Sequence, residues 1–365
     1  LPNPNMKWEQ TAQTNIGWDL GFFDGRLNIG GDFYYKKTTD LFTNVDVSPI
    51  NGITSYIMNN GDMTNKGFSI SLNGYPVKTK NFRWYMSTYY SVNLNKVQTD
   101  DARNYNLNDY LNGTAVVSGQ PISTFYSYKF LGLNPQNGAP MFDDWEDRWH
   151  LLQGKTLDEV VPMILVNSGT RDPKFSGDLN NTFTYKNWSL SLNFSYSLGS
   201  KVRLFEMYGP IINGISAAAN VREEFLDRWQ VPGDEKYTVY PSIISPSSPD
   251  YEHYRLHYSA PQRAVGPNSG VPAFANNVWQ MYDDSDLRVV SGNYLKLQSL
   301  SFSYRLNDRL LRKTPFTQLS ISFNTHNCFT ISAKELRGQD PSQAGFADAG
   351  LSIRPSYTIG LNVSF

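Results

Sequence analysis

SYTIGLNVSF, residues 356–365 at the end of the sequence, alternates Tyr357, Ile359, Leu361, Val363 and Phe365 with Ser356, Thr358, Gly360, Asn362 and Ser364. Side chains of an extended strand point to opposite faces with a period of two, so the stretch predicts a strand with one apolar and one polar face. The pattern recurs upstream. Trp188, Leu190, Leu192, Phe194, Tyr196 and Leu198 oppose Ser189, Ser191, Asn193, Ser195 and Ser197, and Leu319, Ile321, Phe323, Phe329 and Ile331 oppose Ser320, Ser322, Asn324 and His326. Phe68, Ile70 and Leu72 repeat it. Charges keep to the polar parity: Asp19 opposes Ile16, Trp18 and Leu20, Asp32 and Lys36 oppose Leu27, Ile29 and Phe33, and Arg83 opposes Phe82, Trp84 and Met86.

Several of these runs reach about ten residues, the length that crosses a bilayer at a tilt, whereas strands of soluble sandwiches average about five to six. The reading places strands at 10–22, 27–41, 61–75, 82–97, 121–133, 138–145, 173–186, 188–204, 286–306, 316–331 and 353–365. Their connections alternate short and long, as in up-and-down outer-membrane barrels with tight periplasmic turns and extended outer loops. The segment 138–145 enters on parity alone, because one more crossing is needed to put the Lys186-Asn187 turn on the short side. Aromatic residues flank the short turns: Phe22 and Phe23, Tyr75 and Phe82, Tyr185 and Trp188, Tyr304 and Phe316, and Phe365. Such residues suit the membrane interface, where an apolar body and a polar tip are both satisfied.

Composition agrees with this class. The 365 residues carry 32 basic and 33 acidic side chains, a net charge of -1, which leaves no electrostatic footprint for nucleic acid. Cys328 is the single cysteine, so neither an intrachain disulfide nor a thiolate zinc cluster is expected. The longest apolar run, Val160–Val166, contains Pro162 and falls far short of the ~20 residues of a spanning helix. The fold expected is all-β: about eleven antiparallel transmembrane strands, a portion of a larger barrel, with long outer loops. An odd strand count implies that something precedes the first strand, since both termini of bacterial barrels usually lie on the periplasmic side. The chain, 1–365, is therefore expected to be the C-terminal part of a larger barrel.

NPNMKWEQTAQTNIGWDLGFFDGRLNIGGDFYYKKTTDLF (3–42), NNGDMTNKGFSISLNGYPVKTKNFRWYMSTYYSVNLNKV (59–97), GQPISTFYSYKFLGLNPQNGAPMFDDW (119–145), DPKFSGDLNNTFTYKNWSLSLNFSYSLGSKV (172–202) and LRVVSGNYLKLQSLSFSYRLNDRLL (287–311) resemble the C-terminal half of SusC/RagA-like TonB-dependent transporters. The resemblance extends to NCFTIS (327–332) and leaves out mainly 205–285. It implies an outer-membrane barrel of about twenty-two strands around an N-terminal plug. It also implies a SusD-like surface lipoprotein as lid, and energy delivered through TonB for import of an oligosaccharide or oligopeptide by a Gram-negative bacterium. Plug and TonB-contacting segment have no counterpart here. A glycan-binding or adhesive surface protein that moves nothing, or a passive outer-membrane channel, are the alternatives.

Cargo or lid contacts are sought in the long loops and on the polar face: Trp145, Trp149, Trp229, Trp279, Tyr89, Asn193 and Asn324. Trp229 and Trp279, in the loop 205–285, could stack on sugar rings or pack the loop on itself, and packing is favoured. In the long loop 205–285 a short helix is expected over Val221–Trp229, stopped by Pro232-Gly233. Tyr357, Ile359, Leu361, Val363 and Phe365 are assigned to barrel closure, and the aromatic end resembles the signal read by the outer-membrane insertion machinery.

Other constellations carry little. His253 and His257 have the i, i+4 spacing of a helical metal pair, but Tyr and Pro around them argue against a helix. Asp283-Asp284-Ser285-Asp286 lacks the Gly and terminal Glu of a calcium loop and reads as a solvated approach to the next strand. His326 and Cys328 share a parity without a third partner, so no enzyme activity, cofactor or metal is expected. Leu295 and Leu297 break the parity of Leu300, Phe302 and Tyr304. Either a bulge shifts the register or the strand has left the bilayer there, and the second is preferred, because ~10 residues already span it.

Overall fold

The computed structural model describes residues 5–46, 50, 52–53, 55–99, 105–143, 145–211, 220–243, 251, 254, 278–342 and 354–365. Nine strands form one antiparallel sheet in chain order: β1 (Gln10–Phe22), β2 (Leu27–Thr39), β3 (Asp62–Lys78), β4 (Phe82–Gln98), β5 (Phe175–Tyr185), β6 (Trp188–Leu198), β7 (Tyr294–Arg305), β8 (Gln318–Ser332) and β9 (Ser356–Ser364). Each pairs with its neighbours in sequence, so β1 and β9 are the two ends of the sheet.

The apolar parity forms one continuous face. Ile16, Trp18, Leu20, Phe33, Phe68, Ile70, Phe302, Ile321, Phe323, Ile359 and Leu361 are all exposed on it, the condition expected of side chains whose solvent is lipid. No described helix is long and apolar enough to cross a membrane.

Short turns fall at one end, where the chain needs left-handed backbone. Phe23, Asp24 and Gly25 have φ of 55°, 51° and 78°, and Lys186 has φ 50° in the two-residue turn between β5 and β6. Rings cap this end: Trp188 lies 4.2 Å from Tyr304 and 5.3 Å from Phe302, and Phe365 meets Phe316 edge-on at 5.2 Å.

Nine strands replace the eleven expected. Segments 121–133 and 138–145 do not enter the wall: Thr124–Tyr128 pairs with Leu165–Thr170, and Gly132–Leu133 pairs with Pro140–Met141, in two separate small sheets. All five residues of Thr124–Tyr128 are buried, so this strand has no wet face and no lipid face. Parity tolerated the error because zero and two extra crossings put the Lys186-Asn187 turn on the same side. The predicted strand over 188–204 ends at Leu198, and Lys201–Arg203 pairs instead with Val289–Ser291.

The irregularity near Leu297 is a bulge, contrary to the preferred reading. The register of β7 against β8 shifts between Leu297 and Ser299, with Asn327 at φ 54° on the opposite strand, and the register of β7 against β6 shifts beside Asn193. One unpaired residue, Gln298, restores Leu295 and Leu297 to the side of Phe329 and Ile331, their partners across the pair.

Candidate functional site

At the end opposite the short turns, the loops between β4 and β5, between β6 and β7, and after β8 fold into a packed layer. Its hydrophobic core contains Tyr110, Tyr126, Tyr128, Phe142, Leu152, Val161, Met207, Tyr208, Phe225, Met281 and Tyr282, contributed by segments far apart in sequence. Three short helices among the described residues frame it, Leu107–Asn112, Leu157–Ile164 and Val278–Asp283. Leu107–Asn112 starts at a capping box, with the Asn106 side chain accepting from Asp109 N while Asp109 accepts from Asn106 N, and Gly113 at φ 66° ends it. Val278–Asp283 is buried along nearly its whole length.

Asp283, Asp284 and Asp286 join this layer together. Asp283 accepts three backbone N–H bonds, each 2.8 Å, from Met207, Tyr208 and Gly209. Asp284 pairs at 2.6 Å with Arg203, whose guanidinium also donates to Tyr126 O at 2.6 Å and Ser127 Oγ at 3.0 Å. Asp286 accepts from Lys129 Nζ at 2.9 Å and from Phe130 N at 3.0 Å. Three acidic residues within four positions thus tie the end of the helix 278–283, and the residues just after it, to 207–209, to Arg203 and to 129–130. The solvated reading of Asp283–Asp286 does not hold, because each carboxylate has a specific partner elsewhere in the fold.

Burial governs the electrostatics. It raises the Asp283 carboxyl to about 6, against the opposing pull of Arg288 and the three N–H donors. It also lowers the Arg203 guanidinium from its ordinary value, although Asp284 acts in the other direction. Arg288, 2% exposed, donates to Phe205 O and lies 5.8 Å from the ring of Tyr282. Gln339, from the loop after β8, accepts from Phe205 N and donates to Arg203 O, both at 3.2 Å. Lys296 on β7 pairs with Asp340 at 3.0 Å, and both side chains are nearly fully buried. Wall and layer are therefore joined by paired charges.

The polar face of the sheet is a carpet of short side chains bonded across strands. Ser69 donates to Asp32 at 2.9 Å, Asn95 to Asn65 at 2.8 Å, Gln298 to Ser195 at 2.7 Å and Ser301 to Asn324 at 2.7 Å. Tyr34 lies across Gly67 of the next strand and reaches Asn93 at 2.8 Å. A Cβ at position 67 would occupy the space of that ring, so the contact requires glycine.

The candidate contact residues divide between these two regions. Trp145, Trp229 and Trp279 are buried in the loop layer. Arg148 stacks at 4.3 Å on Trp145, Tyr251 stacks at 5.9 Å on Trp279, and Trp229 packs on Gly138, whose φ of 70° and lack of a Cβ admit the ring. The Trp149 side chain lies outside the described residues, as do His253 and His257. Tyr89, Asn193 and Asn324 stand on the polar face of β4, β6 and β8, and Tyr89 is exposed there. The expected helix over 221–229 is a single 3-10 turn, Glu223–Asp227, flanked by extended Arg222 and Arg228. It stops early because Trp229 N donates to Tyr240 O at 2.9 Å while its ring turns to Gly138. Cys328 meets the Thr325 hydroxyl at 3.3 Å. Sequence reasoning missed Arg203, Arg288 and the Lys296–Asp340 pair. For Arg203, Arg288 and Lys296 the visible signal is a charge placed among apolar neighbours, which Asp340, between Gln339 and Pro341, lacks.

The family model described as TonB dependent receptor-like, beta-barrel, matches residues 1–222. Over its whole length the chain is 25% identical to TonB-dependent receptor P3 of Formosa agariphila, of which it covers 35%. It is 30% identical to TonB-dependent receptor SusC of Bacteroides thetaiotaomicron over 224 residues, 58% of this chain and 21% of that protein. All of the chain superposes on 36% of a chain of the RagAB peptide transporter with a TM-score of 0.69 at 20% identity, which shows a shared fold. The chain thus spans about a third of the length of the relatives that it matches throughout.

Proposed function

The chain belongs to the TonB-dependent receptor β-barrel family, and from that premise we propose that it supplies part of the wall and outer loop layer of an active outer-membrane importer. Its cargo is a large nutrient, an oligosaccharide or oligopeptide. The observation that carries this reading is the division of one sheet into a lipid-type face and a hydrogen-bonded Ser/Asn face, with a packed layer at a single end. Short polar side chains that bond to one another leave a smooth, wet wall past which a polar solute can move or against which a plug can pack. Tyr89, Asn193 and Asn324 face that space, while Trp145, Trp229 and Trp279 act from within the layer by fixing its shape.

A SusD-like lipoprotein covers the layer as lid, and TonB acts through a plug outside this sequence. Strand β9 offers its free backbone edge to the remaining part of the barrel, with Tyr357, Ile359, Leu361 and Val363 on its lipid-type face and Phe365 just beyond its end. Uptake of labelled oligopeptide and oligosaccharide pools by cells carrying the full-length protein tests the proposal. Uptake that disappears without TonB is the expected result. Uptake that persists without TonB points to a passive channel, and surface binding without uptake points to an adhesin.

A further inference from the structure

We infer that β2, β3 and β4 carry a binding site for a phosphorylated lipid headgroup on the lipid-facing side of the wall, at its loop end. Lys37, Lys66 and Lys96 share the parity of Phe33, Tyr35, Phe68, Ile70 and Leu94, the exposed apolar face. Register fixes their arrangement. Thr64 pairs with Lys37 on one side and with Lys96 on the other, and Lys66 is the next outward residue of the middle strand. With strands ~4.8 Å apart and ~3.3 Å per residue, the three Cα atoms form a triangle with a base of about 10 Å and sides of about 8 Å.

Height matches a headgroup. Lys37 lies about ten residues above Leu27, ~33 Å along the strand, which at ~40° tilt is about 25 Å, the thickness of the apolar band of such barrels. Lys37 pairs with Asp62 at 2.9 Å. Lys66 and Lys96 are exposed and have no acidic partner among the described residues. At comparable height the outward residues of other strands are uncharged: Ala12, Thr14, Tyr196, Leu295 and Ile331. The cations are therefore a local patch rather than a belt. Lys37 and Lys96 stand one outward step above the row of Tyr35, Lys66 and Leu94, and Phe33 and Phe68 lie below that row. Ammonium groups set among and above apolar side chains suit a phosphate with acyl chains below it, whereas a free anion would leave the apolar side chains unused.

The site presupposes the membrane reading, which the detergent dependence of the same preparation reports separately. The test is native mass spectrometry of the full-length protein released from nanodiscs containing monophosphorylated lipid A, the same lipid dephosphorylated, or phosphatidylcholine. Wild type should retain the phosphorylated lipid about 30-fold over the dephosphorylated one, and K66Q/K96Q should remove that preference. K36Q, on the polar face of the same strand, should keep it. Equal retention of the two lipids by wild type, equal loss in K36Q, or lysine-dependent binding of inorganic phosphate that displaces the lipid would overturn the assignment.

Discussion

The wall and the loop layer of this chain solve the burial problem in opposite ways. The wall has almost no interior: its strands are one residue thick, its apolar side chains face outward, and its polar side chains bond laterally across a wet surface. The layer has the interior of a soluble domain, with a large apolar cluster and charges buried in pairs. In the wall a side chain's environment follows from its parity, whereas in the layer it follows from contacts between residues dozens of positions apart. A change in the wall should therefore be read by lipid and solvent, and a change in the layer by neighbouring loops.

The largest expected effect lies in the layer. Asp283→Ala leaves the N–H groups of Met207, Tyr208 and Gly209 without their acceptor, a loss of about 3–5 kcal/mol if each orphaned donor costs about 1–2 kcal/mol. Limited proteolysis of the full-length protein should cut within 199–293 while the heat-modifiable barrel band on unheated gels stays intact; simultaneous loss of the barrel would erase the distinction between the regions.

Next comes the wall. A charge at Leu361 should cost about 2–4 kcal/mol, but Asn362→Arg, one residue on, should be tolerated. Equal destabilisation at both positions would contradict the assigned faces.

Gly138→Ala should cost about 1–3 kcal/mol, because its new methyl meets the Trp229 ring at a left-handed backbone position. The effect should appear as lowered thermal stability of the loop layer, with Trp229→Leu in the same chain relieving part of it.

The smallest effect is a slope with pH. Burial raises the Asp283 carboxyl from 3.8 to about 6, so between those values the folded layer holds more proton than the unfolded one. Stability contributed by this group is complete below the lower value and is lost as pH rises through about 6. Protease resistance of the layer should be higher at pH 5 than at pH 7, and Asp283→Asn should flatten the difference. A slope unchanged in that variant would assign it to another group.

The same contrast decides what the sequence could reveal. Period-two alternation is local, so the nine wall strands and the outward side of Ile321, Ile359 and Leu361 could be read directly. The stretch 124–128 deceived because a strand buried on both faces, Phe125-Tyr126-Ser127-Tyr128, has the composition of a wall strand without its alternation. The parity break at Leu295 and Leu297 was misread because a single bulged residue and a strand that has left the bilayer both interrupt the alternation. The roles of Asp283, Asp284 and Asp286 were hidden for another reason: their partners are Met207, Arg203 and Lys129, 76, 81 and 157 residues away. An acidic run looks solvated until its partners are known. Trp229 and Trp279 could be weighed only as packed or exposed, and their burial depended on Gly138 and Tyr251 in other segments.

The face assignment is best tested by lipid-borne quenching along β8. In the full-length protein with Cys328→Ser, single cysteines at 321, 322, 323 and 324 would carry a small fluorophore in bilayers doped with a nitroxide lipid. The account predicts strong quenching at 321 and 323 and weak quenching at 322 and 324. Uniform quenching at all four positions, or none at any, would contradict it.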